Sequence, residues 1–157
     1  MTERNVSHAV FTIERVYDAA PARVFAAFAD PDAKQRWFSG PDQWTTLVRQ
    51  FDFREGGRER VKGRWPNGTV SDFDACYFDI IPDQRIAYAY NMYVDDKKIS
   101  VSLATIELKA EGGRTRLIFT EQGAYLDGYD DAGSREHGTR ELLESLARSL
   151  EPASAKA

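Results

Sequence analysis

Between Thr45 and Gly123 apolar and polar residues exchange places at short range, and turn residues interrupt them at regular intervals. The interruptions are Glu55-Gly56-Gly57, Pro66-Asn67-Gly68, Pro82-Asp83, Asp95-Asp96-Lys97-Lys98 and Glu111-Gly112-Gly113. Runs of hairpin length between such signals, rich in β-branched and aromatic residues, predict strands, and consecutive strands joined by tight turns pair antiparallel. Six runs follow: 45–53, 58–65, 70–81, 85–94, 99–110 and 114–123. A further strand, 9–17, precedes them. Between it and Thr45 the spacing changes to that of helices. Asp18 is a candidate cap, Pro21 suits a first turn, and Val24, Phe25 and Phe28 form an apolar stripe. Asp30-Pro31 then breaks the helix, and a second short one is predicted from Pro31 to Arg36. After a loop at 125–133, residues 134–150 place Leu142, Leu143, Leu146 and Leu150 on one side of a closing helix, with Arg and Glu opposite.

The predicted fold class is α+β: a seven-stranded antiparallel sheet in the order strand, two short helices, six strands and one long helix. Such a sheet twists until one face is concave. A single helix about 10 to 12 Å across cannot fill that concavity, so large side chains, the short helices and a cavity must occupy the remainder. A cavity walled by aromatic groups is the usual form of a ligand site. Trp37 and Phe38 belong where the short helices close the hollow, and Trp44 starts the next strand nearby; each is either lid or core aromatic. Ile86, Tyr88, Tyr90 and Met92 share one strand face, a polarizable surface with hydroxyls to orient a guest. Trp65 begins a turn. Tyr125 and Tyr129 are expected in the loop before the last helix, where a mobile flap would sit and movement of 125–133 would gate entry. Gly138 weakens that helix, either because a guest or the sheet comes close or through plain packing.

Composition narrows the class. At 157 residues, 42% apolar and 29% charged, the chain fits one globular domain, 1–157, with a core at about 9–150 and flexible tails at 1–7 and 152–157. The net charge of −4 opposes binding to a phosphate backbone, so no nucleic-acid partner is expected. Neither a signal peptide nor a membrane span is evident, and Cys76 stands alone, which points to a reducing, cytoplasmic setting.

Phe11 to Phe38, FTIERVYDAAPARVFAAFADPDAKQRWF, resembles the strand, Ala-Pro turn and helix ending in an aromatic pair of the START-like superfamily, also called SRPBCC. Within it the chain is similar to the activator family of the ninety-kilodalton heat-shock ATPase, and looks most like bacterial members. IIPDQRIAYAY, Ile80 to Tyr90, and LIFTEQGAYLDGYDDAGSREHGTRELLESL, Leu117 to Leu146, fit the same pattern, so the likeness runs from about Ala9 to Leu150. It implies a helix-grip fold with a deep cavity and places the chain among stress-response relatives. The wider superfamily includes lipid carriers, hormone receptors and polyketide cyclases. The co-chaperone activity of the eukaryotic activators is not carried over, since they also use an amino-terminal domain for which this chain has no room.

Polar candidates are few. Arg15 alternates with Phe11, Ile13 and Tyr17 on a face that otherwise reads as buried, and a cation there needs a partner. Glu121, alternating with Leu117 and Phe119, offers one, because the resemblance implies that the first and last strands are adjacent and antiparallel. The pair is expected to orient a ligand, to supply a general acid or base, or to form an ion pair within the structure or at the rim. Asp72 and Asp74, and Arg58, Arg60, Lys62 and Arg64, read as solvated outer faces; Cys76 reads as a small core residue. His8 and His137 read as solvated, and no metal or other cofactor is expected.

The leading expectation is a carrier or sensor that binds a small hydrophobic, aromatic or lipid-like molecule between the sheet and the last helix. Arg15, Trp37, Phe38, Trp65, Tyr88, Tyr90, Glu121 and Leu142 are its candidate ligand-binding residues. The alternatives are a cyclase- or hydrolase-type enzyme using the same cavity, with catalytic residues unassigned, and a protein-interaction module, co-chaperone-like or homodimeric.

Overall fold

A computed structural model describes residues 3–40 and 43–151. Strand β1 (Val6–Tyr17) leads into helices α1 (Pro21–Ala29) and α2 (Pro31–Trp37), then strands β2 (Thr45–Phe51), β3 (Arg58–Arg64), β4 (Val70–Ile81), β5 (Arg85–Val94), β6 (Lys97–Glu111) and β7 (Arg114–Leu126), and helix α3 (Ala132–Ser149). The seven strands form one antiparallel sheet in the order β1-β7-β6-β5-β4-β3-β2. The α+β architecture is therefore as the alternation and turn signals predict. The turns work because their residues accept positive φ: Asp95 and Asp96 at 49° and 67°, Gly112 and Gly113 at 59° and 82°.

Several boundaries differ from the reading of the sequence. β1 begins at Val6, with Val6 opposite Leu126 and Ser7 opposite Tyr125, so residues 6 and 7 are strand and not tail. Arg4 bonds to Asp127 just beyond it. The tail expected at 152–157 lies outside the described residues. Asp18 caps nothing: α1 starts at Pro21 behind Ala20, without a side-chain cap, and the aspartate that does cap is Asp30, accepting from the Ala33 N–H at the head of α2 at 2.9 Å. Asp131 caps α3 in the same way, through Ser134 N–H at 2.8 Å.

On the concave face α3 lies along β1 and against α2. Ile13, Val24, Ile86, Ile106, Leu117, Leu143 and Leu146 are buried almost completely there, and the Tyr17 hydroxyl donates to the Leu143 carbonyl at 3.0 Å. On the convex face Arg58 pairs with Asp74 and Arg60 with Asp72, at 2.7 and 2.8 Å, as a solvated ladder between β3 and β4. Cys76 belongs to that outer face and not to the core, because its neighbours Ala75 and Tyr77 take the inward positions. Among the described residues no helix is long and apolar enough to cross a membrane.

Candidate functional site

Beside the part of the sheet that α3 covers, a cavity of about 1050 Å³ lies between α2, one flank of α3 from Ser134 to Arg148 and the concave faces of β3, β4 and β5. That is at the upper end of the usual range for small-molecule sites. Its walls are largely rings. Phe73, Tyr88 and Tyr90 succeed one another across β4 and β5, with centroids 4.8 to 6.2 Å apart. Phe38 meets Phe73 edge-on at 5.1 Å, and Trp37 meets Phe28 at 5.0 Å. Trp37 is a plug: it is buried, and its indole N–H donates to the Ala27 carbonyl at 2.9 Å, fixing α2 against α1. At the mouth Trp44 stands edge-on to Trp65 at 5.3 Å and lies flat on Gly63, where a Cβ would collide with its ring. A glycine is thus required in β3 for close approach.

Each end of the cavity holds a buried ion pair. At one, Lys34 Nζ donates to Glu59 Oε1 at 3.0 Å, with the two side chains 6% and 2% exposed. Glu59 points inward because it alternates with Val61 and Gly63, and it also accepts from the Tyr77 hydroxyl at 2.6 Å. The lysine's remaining surroundings are ring faces: Phe38 at 4.5 Å, Trp37 at 5.4 Å and Phe51 at 5.5 Å. Burial pulls its pKa below the ordinary lysine range, and Glu59 opposes that shift.

At the other end, Glu121 on β7 accepts from the Tyr90 hydroxyl at 2.9 Å and faces Arg135, 3.4 Å away in the first turn of α3. The guanidinium reaches further, to Tyr90 Oη at 2.8 Å, Ser100 Oγ at 2.7 Å and Asp130 at 2.9 Å. Burial raises the Glu121 pKa, against the pull of Arg135, Tyr90 and Ser102. Burial acts on Arg135 in the opposite sense, but Tyr90, Glu121 and Asp130 outweigh it and leave the arginine firmly charged.

Two further features face the hollow. Tyr88 is half-buried on its wall, and among the described residues nothing lies within hydrogen-bonding reach of its hydroxyl, whereas Tyr77 and Tyr90 each donate to a carboxylate. Gly138 lies on the cavity side of α3, and a Cβ there would meet open space. Close packing against the sheet is therefore not what the glycine serves.

Of the sequence candidates, Trp37, Phe38, Trp65, Tyr88, Tyr90, Glu121 and Leu142 all line this one cavity. Arg15 does not, and it does not meet Glu121. The register sets Arg15 opposite Leu117 and Glu121 opposite Phe11, so the two are four residues apart along the strands. Arg15 instead reaches Glu144 on α3 at 2.9 Å, with its Nε buried and without an acceptor. Tyr125 is not a loop residue: β7 continues through it, and its buried ring packs 5.5 Å from the Arg135 guanidinium. The loop shrinks from the expected 125–133 to 127–131, with Asn5 and Arg4 bonded to Asp127 and with Asp131 capping α3. Tyr129 remains exposed there. His8 is exposed on β1 and His137 on α3, and no cluster of metal-ligating side chains occurs among the described residues.

Lys34, Glu59 and Arg135 were the groups not foreseen. A signal for each existed: Lys34 is three residues before Trp37, Glu59 shares the inward register of Val61, and Arg135 precedes Thr139 and Leu142 on the inward stripe of α3.

Residues 18–151 match the family described as activator of Hsp90 ATPase homolog 1-like protein. Among solved structures, an uncharacterized protein from Rhizobium leguminosarum is 44% identical, with a TM-score of 0.90 over 95% of this chain and 98% of that one. Protein Mll3558 from Rhizobium loti is 46% identical, with a TM-score of 0.87 over 93% and 99%. The AHSA1-like protein from Aeromonas hydrophila is 20% identical and shares the fold, with a TM-score of 0.67 over 93% and 94%. No curated protein matches the chain.

Proposed function

The chain belongs to the family of activator of Hsp90 ATPase homolog 1-like proteins, and from that premise we infer that it encloses a small, mostly apolar molecule in the hollow between sheet and α3, as a carrier or sensor. The observation that carries this reading is the cavity of about 1050 Å³ walled by rings from α2, β4 and β5. Binding would come from burial, at roughly 25 cal/mol per Å² of apolar surface removed from water. Trp37, Phe38, Trp65, Tyr88, Tyr90 and Leu142 would provide contact surface, and the Glu121–Arg135 pair would set the shape of one end. That both charges of this pair are engaged with several partners favours carriage over proton transfer. Arg15, being outside the cavity, is assigned to holding α3 on β1 through Glu144. A cytoplasmic place belongs to the same proposal and rests on the lone cysteine.

The test is a thermal-shift screen of apolar and aromatic compounds, joined to mass spectrometry of what the protein releases on denaturation. A raised melting temperature with a co-purified small molecule supports the reading. A broad screen without a shift, and nothing released, overturns it.

A second reading has one observation in its favour: Val10 on β1 and Leu103 on β6 are exposed on the convex face, both paired with Gln122 of β7 between them. A homodimer through this face would cover them. Light scattering on the eluting protein decides, and a monomer at every concentration removes this reading.

A further inference from the structure

The two cations buried in the hollow are both already neutralised, and Arg148, which also lines it, is exposed and bonds only the Ser145 hydroxyl. Arg135 is shared between Glu121 and Asp130, and Lys34 sits on Glu59 with its other sides against rings. A guest carrying a carboxylate into the interior would have to shed its hydration beside Glu59, Glu121 and Asp130 and would find neither buried cation free, a burial of charge without compensation. On the β4 and β5 wall of the hollow, the Tyr88 hydroxyl is without a partner among the described residues, whereas Ser39 and Trp44 lie away from that wall, near the mouth. The neighbouring Tyr77 and Tyr90 hydroxyls are spent on Glu59 and Glu121. Burial keeps the Tyr88 phenol protonated, so it is available as a donor. Across from the sheet, Gly138 stands in a helix interior, where alanine is the better helix former, and leaves open space where its side chain would be. Absence of a side chain there makes room for a flat body against α3.

Resting on the carrier reading above, we propose that the hollow selects an uncharged, flat aromatic guest that offers a hydrogen-bond acceptor to the Tyr88 hydroxyl and lies against Gly138, and that it discriminates against carboxylate-bearing guests. The acceptor takes the bond that none of the described residues takes, and the two internal salt bridges serve as a fixed polar frame in place of binding groups.

Three matched probes test this by fluorescence or calorimetric titration of the intact protein: acetylphenanthrene, ethylphenanthrene and phenanthrenecarboxylate. The ketone is expected to bind tightest, about five- to tenfold ahead of the ethyl compound, as one hydrogen bond to a waiting donor provides, and the carboxylate weakest. Tyr88→Phe, which keeps the ring and removes the donor, is expected to bring the ketone down to the level of the ethyl compound. Gly138→Leu is expected to weaken both. Comparison of the three probes on the unaltered protein needs no variant, so a variant that folds poorly does not blunt the test. Should the carboxylate bind as well as the ketone, or should the ketone gain nothing over the ethyl compound, this proposal falls and the carrier reading stands. If none of the three binds, this proposal falls, and the broad thermal-shift screen with mass spectrometry decides the carrier reading separately.

Discussion

The concave face of one continuous sheet is treated in two different ways. Beneath α3, on the β1, β7 and β6 side, the inward residues are aliphatic and closed off: Ile13, Ile106 and Leu117 meet Leu143 and Leu146 with essentially no solvent contact. On the β3 to β5 side the inward residues are Phe73, Tyr88, Tyr90 and Met92, and they face open volume. Both halves obey the same alternation and the same antiparallel pairing. The difference lies in what stands opposite: the leucine face of α3 over one half, and over the other a short helix, α2, with the flank of α3 that bears Gly138. Aliphatic groups interlock around a partner that is present in the chain, whereas rigid rings can line space that the chain leaves empty. One half stores stability, and the other holds a shape.

Substitutions can separate the two roles. The largest effect is expected at Glu59→Ala, which would leave Lys34 buried without its counter-charge. A loss of about 3 to 5 kcal/mol is expected, read as a lowered denaturation midpoint. If the protein is unmoved, the open half is not held by its ion pairs. Next comes Leu146→Ala in the packed half, with about 2 to 5 kcal/mol lost; Met92→Ala, facing the hollow, should cost clearly less in the same urea titrations. Equal losses would erase the distinction between the halves. Third is Gly63→Ala, whose new methyl group must displace the Trp44 ring at the mouth, for about 1 to 3 kcal/mol together with a shift in indole emission.

The pH dependence of Glu121 tests the frame itself. Its pKa is raised in the folded protein, so its contribution to stability is fully present below the unfolded carboxylate value of about 4.3 and is lost as pH rises through the folded one. The stability of the wild type relative to Glu121→Gln should therefore fall with rising pH across that window, and a flat difference in urea midpoints would show the carboxylate to be no worse off inside than out. The smallest effect is expected at Gly138→Ala: a gain of about 0.5 to 1 kcal/mol in the empty protein. A loss instead would show that the glycine serves packing.

How much of this was readable from residues alone follows the same division. The strands were legible because turn chemistry is local: Asn67-Gly68, Asp95-Asp96 and Gly112-Gly113 each announce a reversal without reference to the rest of the fold. The ring-lined wall was legible too, since Tyr88 and Tyr90 alternate along one strand. What could not be read was any pairing made across the hollow. Lys34 and Glu59 are 25 positions apart and reside on a helix and a strand that share no local signal, so each alone looks like a solvated charge. Arg15 illustrates the same limit. Its need for a partner was apparent, but an acid on the facing strand, Glu121, was the wrong choice, because side chains two rungs or more along a ladder are out of reach while Glu144 comes down from the helix above. Cys76 was misplaced for another reason: apolar residues occupy both faces of that stretch of β4, with Phe78 62% exposed, so hydrophobic density did not reveal direction.

All three tryptophans of the chain border the same hollow. The protein's own ultraviolet emission therefore reports on a single volume, with no indole elsewhere to dilute the signal. Anything that enters should quench or recolour that light, and the molecule carries its own dye.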